Sequence, residues 1–148
     1  MKKFVAVLAV AAVGVATTVG GAFAGSEGPA QGTADVCFLL PDPKSSVRWE
    51  TQDRPAFIAA AKKAKISYVI TNADGKAQKQ RSQADQCLAN GAKVVVLVSL
   101  DFGSSIAIER VAKAAGAKVI EYDRQVVGGI GDIYISFDGK AVGVLQGK

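Results

Sequence analysis

The sequence lacks the residues that many catalytic and metal sites require. It has no histidine among its 148 residues, which excludes histidine-based catalytic triads and histidine-ligated metals. Its two cysteines are too few to form a structural zinc site by themselves. There is no Gly-x-Ser-x-Gly motif, which would indicate the nucleophile of an α/β-hydrolase. We therefore expect a protein that is not an enzyme and has no catalytic residues.

Signals for cofactors and metal ions are missing as well. No glycine-rich loop follows the first predicted strand, where a dinucleotide site would need one. Asp101, Asp123 and Asp138 are predicted to follow different strands, without a second acid at the start of the first loop to complete a divalent-ion site. We expect no cofactor and no metal.

A strong excess of charge of one sign is also absent. The chain has a formal charge of +5, and two of its bases, Lys2 and Lys3, lie at the N-terminus. Without those two, 16 bases face 13 acids. This mild excess, with no cluster of aromatic and basic residues, does not predict a nucleic-acid-binding surface.

The N-terminus has the pattern of an export signal. Lys2 and Lys3 precede an uncharged, mostly apolar run over residues 4–24, and small residues at Ala22 and Ala24 indicate a cleavage site. The alternative is an uncleaved membrane anchor, because the run is nearly long enough to span a bilayer. The predicted divisions are a signal peptide over 1–24, a flexible leader over 25–33 and one domain over 34–148. After cleavage, we expect the mature protein in the periplasm, or otherwise in the cell envelope or outside the cell.

After residue 33, strand and helix patterns alternate. Predicted strands cover residues 36–40, 66–71, 93–100, 118–122 and 133–137, and predicted helices cover 48–65, 75–90, 104–115 and the segment from 139 onward. The start of the first helix has two interpretations. Either Asp53 caps a helix with Pro55 in its first turn, or the helix begins earlier and bends. The alternation predicts an α/β fold, with a parallel sheet and helices on both faces.

Polar and aromatic side chains follow the predicted strands. Tyr122, Asp123 and Arg124 come at the end of the fourth strand, while Arg48 and Trp49 lie in the loop after the first. In open α/β sheets, ligands bind at the carboxyl ends of the strands. A carboxylate accepts hydroxyl protons and a guanidinium donates them, so an Asp beside an Arg suits a polyhydroxylated ligand. An aromatic ring can also stack on the apolar face of a sugar.

Several short segments extend this pattern in a fixed order along nearly all of the predicted domain. They are Phe38–Pro41, Arg48–Glu50, Gln78–Gln80 with Ser82 and Gln83, Gly91–Val94, Tyr122–Arg124, and Ser136–Asp138 with Val142, Gly143, Leu145 and Gln146. In this order they resemble the periplasmic sugar-binding proteins of bacterial ABC importers, and within them the xylose-binding branch. Gly139 departs from the resemblance, because relatives often have Asn there.

The resemblance implies a doubly wound lobe with five parallel strands in the order 2-1-3-4-5. It implies that Arg48, Asp123 and Arg124 contact sugar hydroxyls and that Trp49 lies at or beside the sugar. The implied ligand is a monosaccharide, either a xylose-like aldopentose or a hexose, bound non-covalently and delivered to a membrane permease. Family members clamp the sugar between two lobes. We therefore expect this chain to be an N-terminal lobe with the second lobe absent, either as a truncated product or fragment, or as a half-protein that pairs with something else.

Two other functions remain open. The main alternative is a secreted single-lobe interaction module that binds no sugar. An enzyme on the same type of fold is a third hypothesis, disfavoured because no nucleophile–base pair or cofactor motif occurs.

The two cysteines also leave two interpretations. Cys37 lies in the first predicted strand and Cys87 on the inward face of the second predicted helix. In the strand order that the resemblance implies, this helix passes over the first strand, so the two sulfurs can meet. An exported chain with an even number of cysteines favours a disulfide. The alternative is two free thiols that pack as small apolar residues.

Overall fold

The computed structural model describes residues 34–148, so the predicted signal peptide and leader lie outside the described residues. The strands are β1 (Val36–Leu40), β2 (Tyr68–Asn72), β3 (Val94–Leu97), β4 (Lys118–Tyr122) and β5 (Ile133–Ile135). The α-helices are α1 (Arg54–Ala64), α2 (Ala77–Ala89), α3 (Phe102–Ala114) and α4 (Gly139–Gln146). A π-helical turn over Trp49–Asp53 leads directly into α1.

The strands form one parallel sheet in the order β2-β1-β3-β4-β5, which confirms the predicted fold and strand order. Neighbouring strands end nearly level with one another. Leu39 pairs with Leu97, and Tyr122 pairs with Ile135. The loops that follow the strands therefore meet along one edge, which is called the carboxyl edge below.

Helices cover both faces of the sheet. On one face, α2 and α3 bury a cluster that contains Cys37, Leu39, Ala84, Cys87, Val95, Leu97, Ile108, Ala112 and Val119. On the other face, α1 and the π-helical turn cover Phe38, Leu40, Trp49, Val96 and Val98, with Phe57 and Tyr122 packed against them. This two-sided burial explains why the central strands read as continuous apolar runs rather than alternating ones.

The first helical segment begins before Asp53, as in the second of the two interpretations above. The N–H of Arg54 donates to the carbonyl of Trp49, which closes the wide turn. Asp53 makes no capping hydrogen bond, and Pro55 stands in the first turn of α1. Pro55 has no N–H, so it donates no backbone hydrogen bond to the π-helical turn that precedes it.

A disulfide joins Cys37 in β1 to Cys87 in α2, with their Cα atoms 6.3 Å apart. The connection from β2 to β3 carries α2 across β1, and this crossing brings the two cysteines together. The predicted disulfide is therefore confirmed.

The β5 end of the sheet is covered less well than its middle. Ile133, Tyr134 and Ile135 are exposed, and α4 buries none of its residues. Within residues 34–148, the structure contains no helix with the length and apolar character needed to cross a membrane.

Candidate functional site

The candidate site is centred on an ion pair between Arg48 and Asp123 at the carboxyl edge. Arg48 Nη2 lies 2.5 Å from Asp123 Oδ1, although the two residues are 75 positions apart in sequence. Arg48 Nε also lies 3.4 Å from Asp53 Oδ2. One guanidinium group thus bridges two carboxylates that come from opposite ends of the domain. All three side chains keep part of their surface exposed.

Asp123 is held by its backbone, which leaves its carboxylate available. Its φ angle is +65°, a left-handed conformation that Asp tolerates better than most residues. Its N–H donates to the carbonyl of Ile135 at 2.7 Å, and its own carbonyl accepts from Ser136 Oγ at 3.2 Å and Tyr134 OH at 3.3 Å. No hydrogen bond from another described residue reaches Asp123 Oδ2. That oxygen can therefore accept hydrogen bonds from a ligand.

Arg124 is anchored by hydrogen bonds to the loops that follow β1 and β3. Its Nη1 donates to the carbonyl of Ser99 at 3.0 Å, and its Nη2 donates to Ser45 Oγ at 3.0 Å. The same Ser45 oxygen accepts from Trp49 Nε1 at 3.1 Å. Ser45 therefore links the second arginine of the site to the buried tryptophan.

Asp42 fixes the loop after β1 by hydrogen bonds to the backbone of that loop. Its Oδ1 accepts the N–H of Lys44 at 2.7 Å and also the N–H of Ser45. Burial by itself raises the pKa of Asp42, but these hydrogen bonds and the charge of Arg124 outweigh it and lower the pKa below the usual value. Asp42 is not among the site residues predicted from the sequence. Its signal is an Asp at the start of a turn, where the side chain bonds to backbone groups two and three residues on.

Trp49 lies beneath the arginines rather than on the surface. Only 1% of it is exposed, because it packs against Phe38 and Leu40 in the core. The guanidinium carbon of Arg48 is 4.3 Å from the centre of its ring, and that of Arg124 is 5.4 Å away. Trp49 therefore lies beside Arg48 and Arg124, and in this arrangement its ring offers no free face for stacking. Instead it orients two cations by cation–π attraction.

Phe137, which the sequence analysis did not select, is the exposed aromatic residue of the site. It follows β5, is 67% exposed, and its ring centre lies 5.1 Å from the guanidinium carbon of Arg48. A small cleft of about 110 Å³ lies beside it, lined by Tyr122, Asp123, Ile135, Ser136 and Phe137. Its signal in the sequence is an aromatic residue at the end of the predicted fifth strand, 133–137, which places it at the same edge as Asp123.

Asp53 and Tyr122 support Arg48 from the interior side. Tyr122 OH donates to Asp53 Oδ1 at 2.7 Å. Burial, followed by the hydrogen bond to Asp53 and the charge of that carboxylate, raises the pKa of Tyr122 to about 12. The phenol therefore stays neutral and keeps donating, which fixes the carboxylate that faces Arg48.

Two further acids of the carboxyl edge, Asp101 and Asp138, do not join the site. Asp101 caps α3 by accepting from the N–H of Ser104 at 2.8 Å, and Asp138 caps α4 by accepting from the N–H of Ala141 at 3.0 Å. These bonds account for two of the three aspartates that the sequence analysis considered and set aside as a metal site.

The arrangement suits a neutral ligand with many hydroxyl groups. Arg48 pairs with the carboxylates of Asp53 and Asp123, while Arg124 bonds to Ser45 and Ser99, so the two positive and two negative charges of these four residues balance. Carboxylate oxygens can accept hydroxyl protons, guanidinium N–H groups can donate to hydroxyl oxygens, and Phe137 offers an apolar face. Since these groups are already oriented by the protein, a ligand would not have to order them.

A family model and several known proteins match this chain, and they agree on the family. The model of a family described as "Periplasmic binding protein domain" matches residues 36–148. The D-xylose-binding periplasmic protein of Escherichia coli (strain K12) is 33% identical over 101 residues, which cover 68% of this chain and 30% of that protein. The multiple sugar-binding periplasmic receptor ChvE of Rhizobium radiobacter is 33% identical over 147 residues, covering 99% of this chain and 39% of that protein. The chain thus spans between 30% and 39% of the length of these relatives.

Solved structures show the same similarity. An ABC transporter solute-binding protein from Clostridium phytofermentans with bound β-D-glucose is 31% identical, with a TM-score of 0.65, covering 76% of this chain and 34% of that one. A carbohydrate transporter solute-binding protein from Chloroflexus aurantiacus in complex with D-glucose is 33% identical, with a TM-score of 0.66, covering 76% of this chain and 33% of that one.

Proposed function

The chain belongs to the periplasmic binding protein domain family, and from this premise we propose that it is part of the sugar-binding component of a bacterial ABC importer. Its role is to bind a monosaccharide non-covalently, without catalysis. The observation that carries this proposal is the Arg48–Asp123 pair, whose groups are oriented and partly exposed at the carboxyl edge.

Each residue of the site has a distinct proposed role. Asp123 accepts hydrogen bonds from sugar hydroxyls through Oδ2, and Arg48 and Arg124 donate to sugar oxygens. Phe137 covers an apolar face of the ring. Trp49 positions the two arginines from beneath.

The names of the relatives support a sugar as the ligand class. One is named for D-xylose and another for multiple sugars, and two solved relatives hold glucose. We propose an aldopentose or a hexose for this chain, and a membrane permease as its partner in the periplasm. Because the chain spans about a third of those relatives, we propose that the contacts described here form one lobe's half of the sugar site.

Substitution of Asp123 by Asn tests the site. Asn also tolerates the left-handed backbone, so the variant removes the charge and keeps the fold. Nuclear magnetic resonance titration of the chain with D-xylose and D-glucose should show weak binding, with shifts concentrated at Arg48, Asp123 and Arg124. In Asp123→Asn, affinity should fall roughly tenfold or more, because hydrogen bonds to a charged group contribute about 1.5–3 kcal/mol each.

A control variant separates this effect from a general loss of charge. Asp85→Asn changes an exposed carboxylate on α2 that pairs with Arg81, and it should bind sugar like the wild type. Equal affinity in Asp123→Asn and the wild type would contradict the site. No shift with any sugar would contradict the proposal and favour the second candidate.

The second candidate is a secreted single-lobe interaction module that binds no sugar. The exposed apolar side chains of β5 and α4 are the observation that favours it, because exposed apolar surface is typical of interaction sites. This candidate predicts that the titration above gives no shift at the carboxyl edge.

A further inference from the structure

Two buried glutamates lie together between α3 and β4, away from the candidate sugar site. Glu109 of α3 is 0% exposed and Glu121 of β4 is 6% exposed. Within the described chain, no lysine or arginine forms an ion pair with either one. The nearby bases Lys113 and Lys118 pair with Asp132 instead. Two buried carboxylates without a cation would be costly if both were ionised.

Both glutamates bond to the loop that joins β4 to β5, residues 123–132. Glu121 Oε2 accepts the N–H of Val126 at 2.8 Å, and Glu109 Oε2 accepts the N–H of Ile130 at 2.5 Å. Each carboxyl group therefore holds one part of the loop. The loop begins with Asp123 and Arg124, so the same bonds support the segment that carries the candidate site.

Glu121 is the neighbouring acid, and its charge and side chain help to raise the pKa of Glu109. Glu109 Oε1 is buried, and no donor from the described residues satisfies it. Ionised carboxylates only accept hydrogen bonds, so a buried oxygen without a donor, beside a second buried acid, favours a proton on one of the two. Carboxyl pairs that share a site in this way hold one proton between them.

The loop backbone fits closely around the pair. A Cβ atom on Gly129 would lie 2.6 Å from Glu109 Oε2, and one on Gly131 would lie 2.6 Å from Glu121 Oε1. Each carboxyl group is thus covered by a glycine of the loop. The close contact between these glycines and the two carboxyl groups depends on loop 123–132 staying folded against α3 and β4.

We propose that Glu109 and Glu121 share a single proton and act as a latch that holds loop 123–132 in place until that proton is lost. The latch would act whether or not the chain binds a sugar. Opening it would loosen the segment that positions Asp123 and Arg124.

The direction of the pH effect follows from the environment of the pair. Burial, together with the charge and side chain of the neighbouring Glu121, raises the pKa of Glu109 above its ordinary value of 4.5. A raised pKa in the folded state gives stability that is present at acidic pH and is lost as the pH rises through the raised pKa. Asp132, another charged group of this loop, has a lowered pKa, so its own effect on stability changes only at acidic pH. Arg124 lies at the start of the same loop, where its guanidinium bonds to Ser99 and Ser45 and not to the pair.

The variant Glu109→Gln tests the latch. Its amide keeps an oxygen for the N–H of Ile130 and supplies a donor for Glu121, but it has no proton to lose. We expect the melting temperature of the variant, minus that of the wild type, to rise steadily from weakly acidic to alkaline pH. Asp85→Asn should show no such trend. A difference that stays flat with pH would overturn the proposal.

Two further measurements decide the remaining cases. If added Ca²⁺ or Mg²⁺ raises the melting temperature of the wild type but not of Glu109→Gln, the pair holds a cation and the proposal is wrong. If Glu109→Gln does not fold, infrared spectroscopy of the wild-type chain with isotope-labelled glutamate replaces it. A protonated carboxyl band at neutral pH that disappears at alkaline pH would support the shared proton, and its absence at every pH would overturn it.

Discussion

The middle of the sheet and its β5 end contain similar apolar side chains, but only the middle buries them. Leu97 in β3 is 0% exposed, whereas Leu145 in α4 is 70% exposed. In the middle, α2 and α3 cover one face while α1 and the π-helical turn cover the other. At the β5 end, the strand pairs with β4 on one side, and α4 buries nothing. Apolar composition therefore predicts where strands and helices form, but not how much each contributes to stability.

The largest expected change in stability comes from removing the disulfide in the middle of the sheet. Replacing both Cys37 and Cys87 with Ala should destabilise the chain by about 4 kcal/mol, because the bridge closes a loop of about 50 residues in the unfolded chain. Denaturant unfolding of the variant and the oxidised wild type measures the difference.

Chemical reduction of the wild type provides the control. The reduced protein should melt at a lower temperature than the oxidised one, and the double variant should not respond to reductant. Full labelling of both cysteines by an alkylating probe in the oxidised, denatured protein would show that the bridge does not form.

A matched pair of leucines compares the two regions directly. Leu97→Ala should cost about 3 kcal/mol, because it removes a buried side chain and leaves a cavity in the core. Leu145→Ala should change stability by less than about 0.5 kcal/mol, because the side chain is exposed. Denaturant unfolding measures both. Similar losses in the two variants would show that α4 is packed in solution and would remove the contrast.

Much of this architecture could be predicted from the sequence, although the ends of the elements were less accurate. The third strand was predicted over 93–100, but it ends at Leu97, where its pairing with Leu39 of β1 ends. The second was predicted over 66–71, but it covers Tyr68–Asn72. Hydrophobic runs show which segments are buried, whereas pairing with neighbouring strands decides where a strand ends. The strand order came from the family resemblance and not from any single segment.

The candidate site was predicted in part. The fold brings Arg48, Asp123 and Arg124 to one edge, because parallel strands end together. The burial of Trp49 and the exposure of Phe137 could not be predicted from the sequence, since residue type and position along the chain do not show which side chains pack against the sheet. Which aromatic ring reaches the surface depends on how the π-helical turn packs onto the sheet. Whether these residues bind a sugar stays a prediction.

Smaller changes in stability are expected from substitutions at two glycines, one in loop 123–132 and one in α4. Gly129→Ala should destabilise the chain by about 1–3 kcal/mol, because the added methyl would lie 2.9 Å from the backbone oxygen of Val126 and closer still to Glu109 Oε2. Gly143→Ala in α4 meets no atom within 4 Å and should stabilise that helix by about 0.5–1 kcal/mol. Thermal unfolding measures both. A stabilising Gly129→Ala would contradict the close fit of loop 123–132.

The smallest expected effect concerns Asp132, which ties the start of β5 to the rest of the fold. Its carboxylate accepts the N–H of Val119 at 2.8 Å and pairs with Lys113 Nζ at 2.6 Å and Lys118 Nζ at 3.3 Å. The hydrogen bond from Lys113, followed by the one from Val119, holds the pKa of Asp132 well below its usual value of 3.8. A lowered pKa gives stability that is present above the usual value and is lost as the pH falls toward the lowered one.

Asp132→Asn should therefore lower the melting temperature modestly at neutral pH, and the gap to the wild type should close as the pH falls below 3.8. Thermal unfolding at neutral and strongly acidic pH measures this gap. Asp138→Asn is the control, because Asn also caps helices well and Asp138 holds only the start of α4. A gap that keeps its size in acid would mean that the Asp132 carboxylate acts through packing and not through its charge. The β5 end would then depend on the same kind of contact as the middle of the sheet.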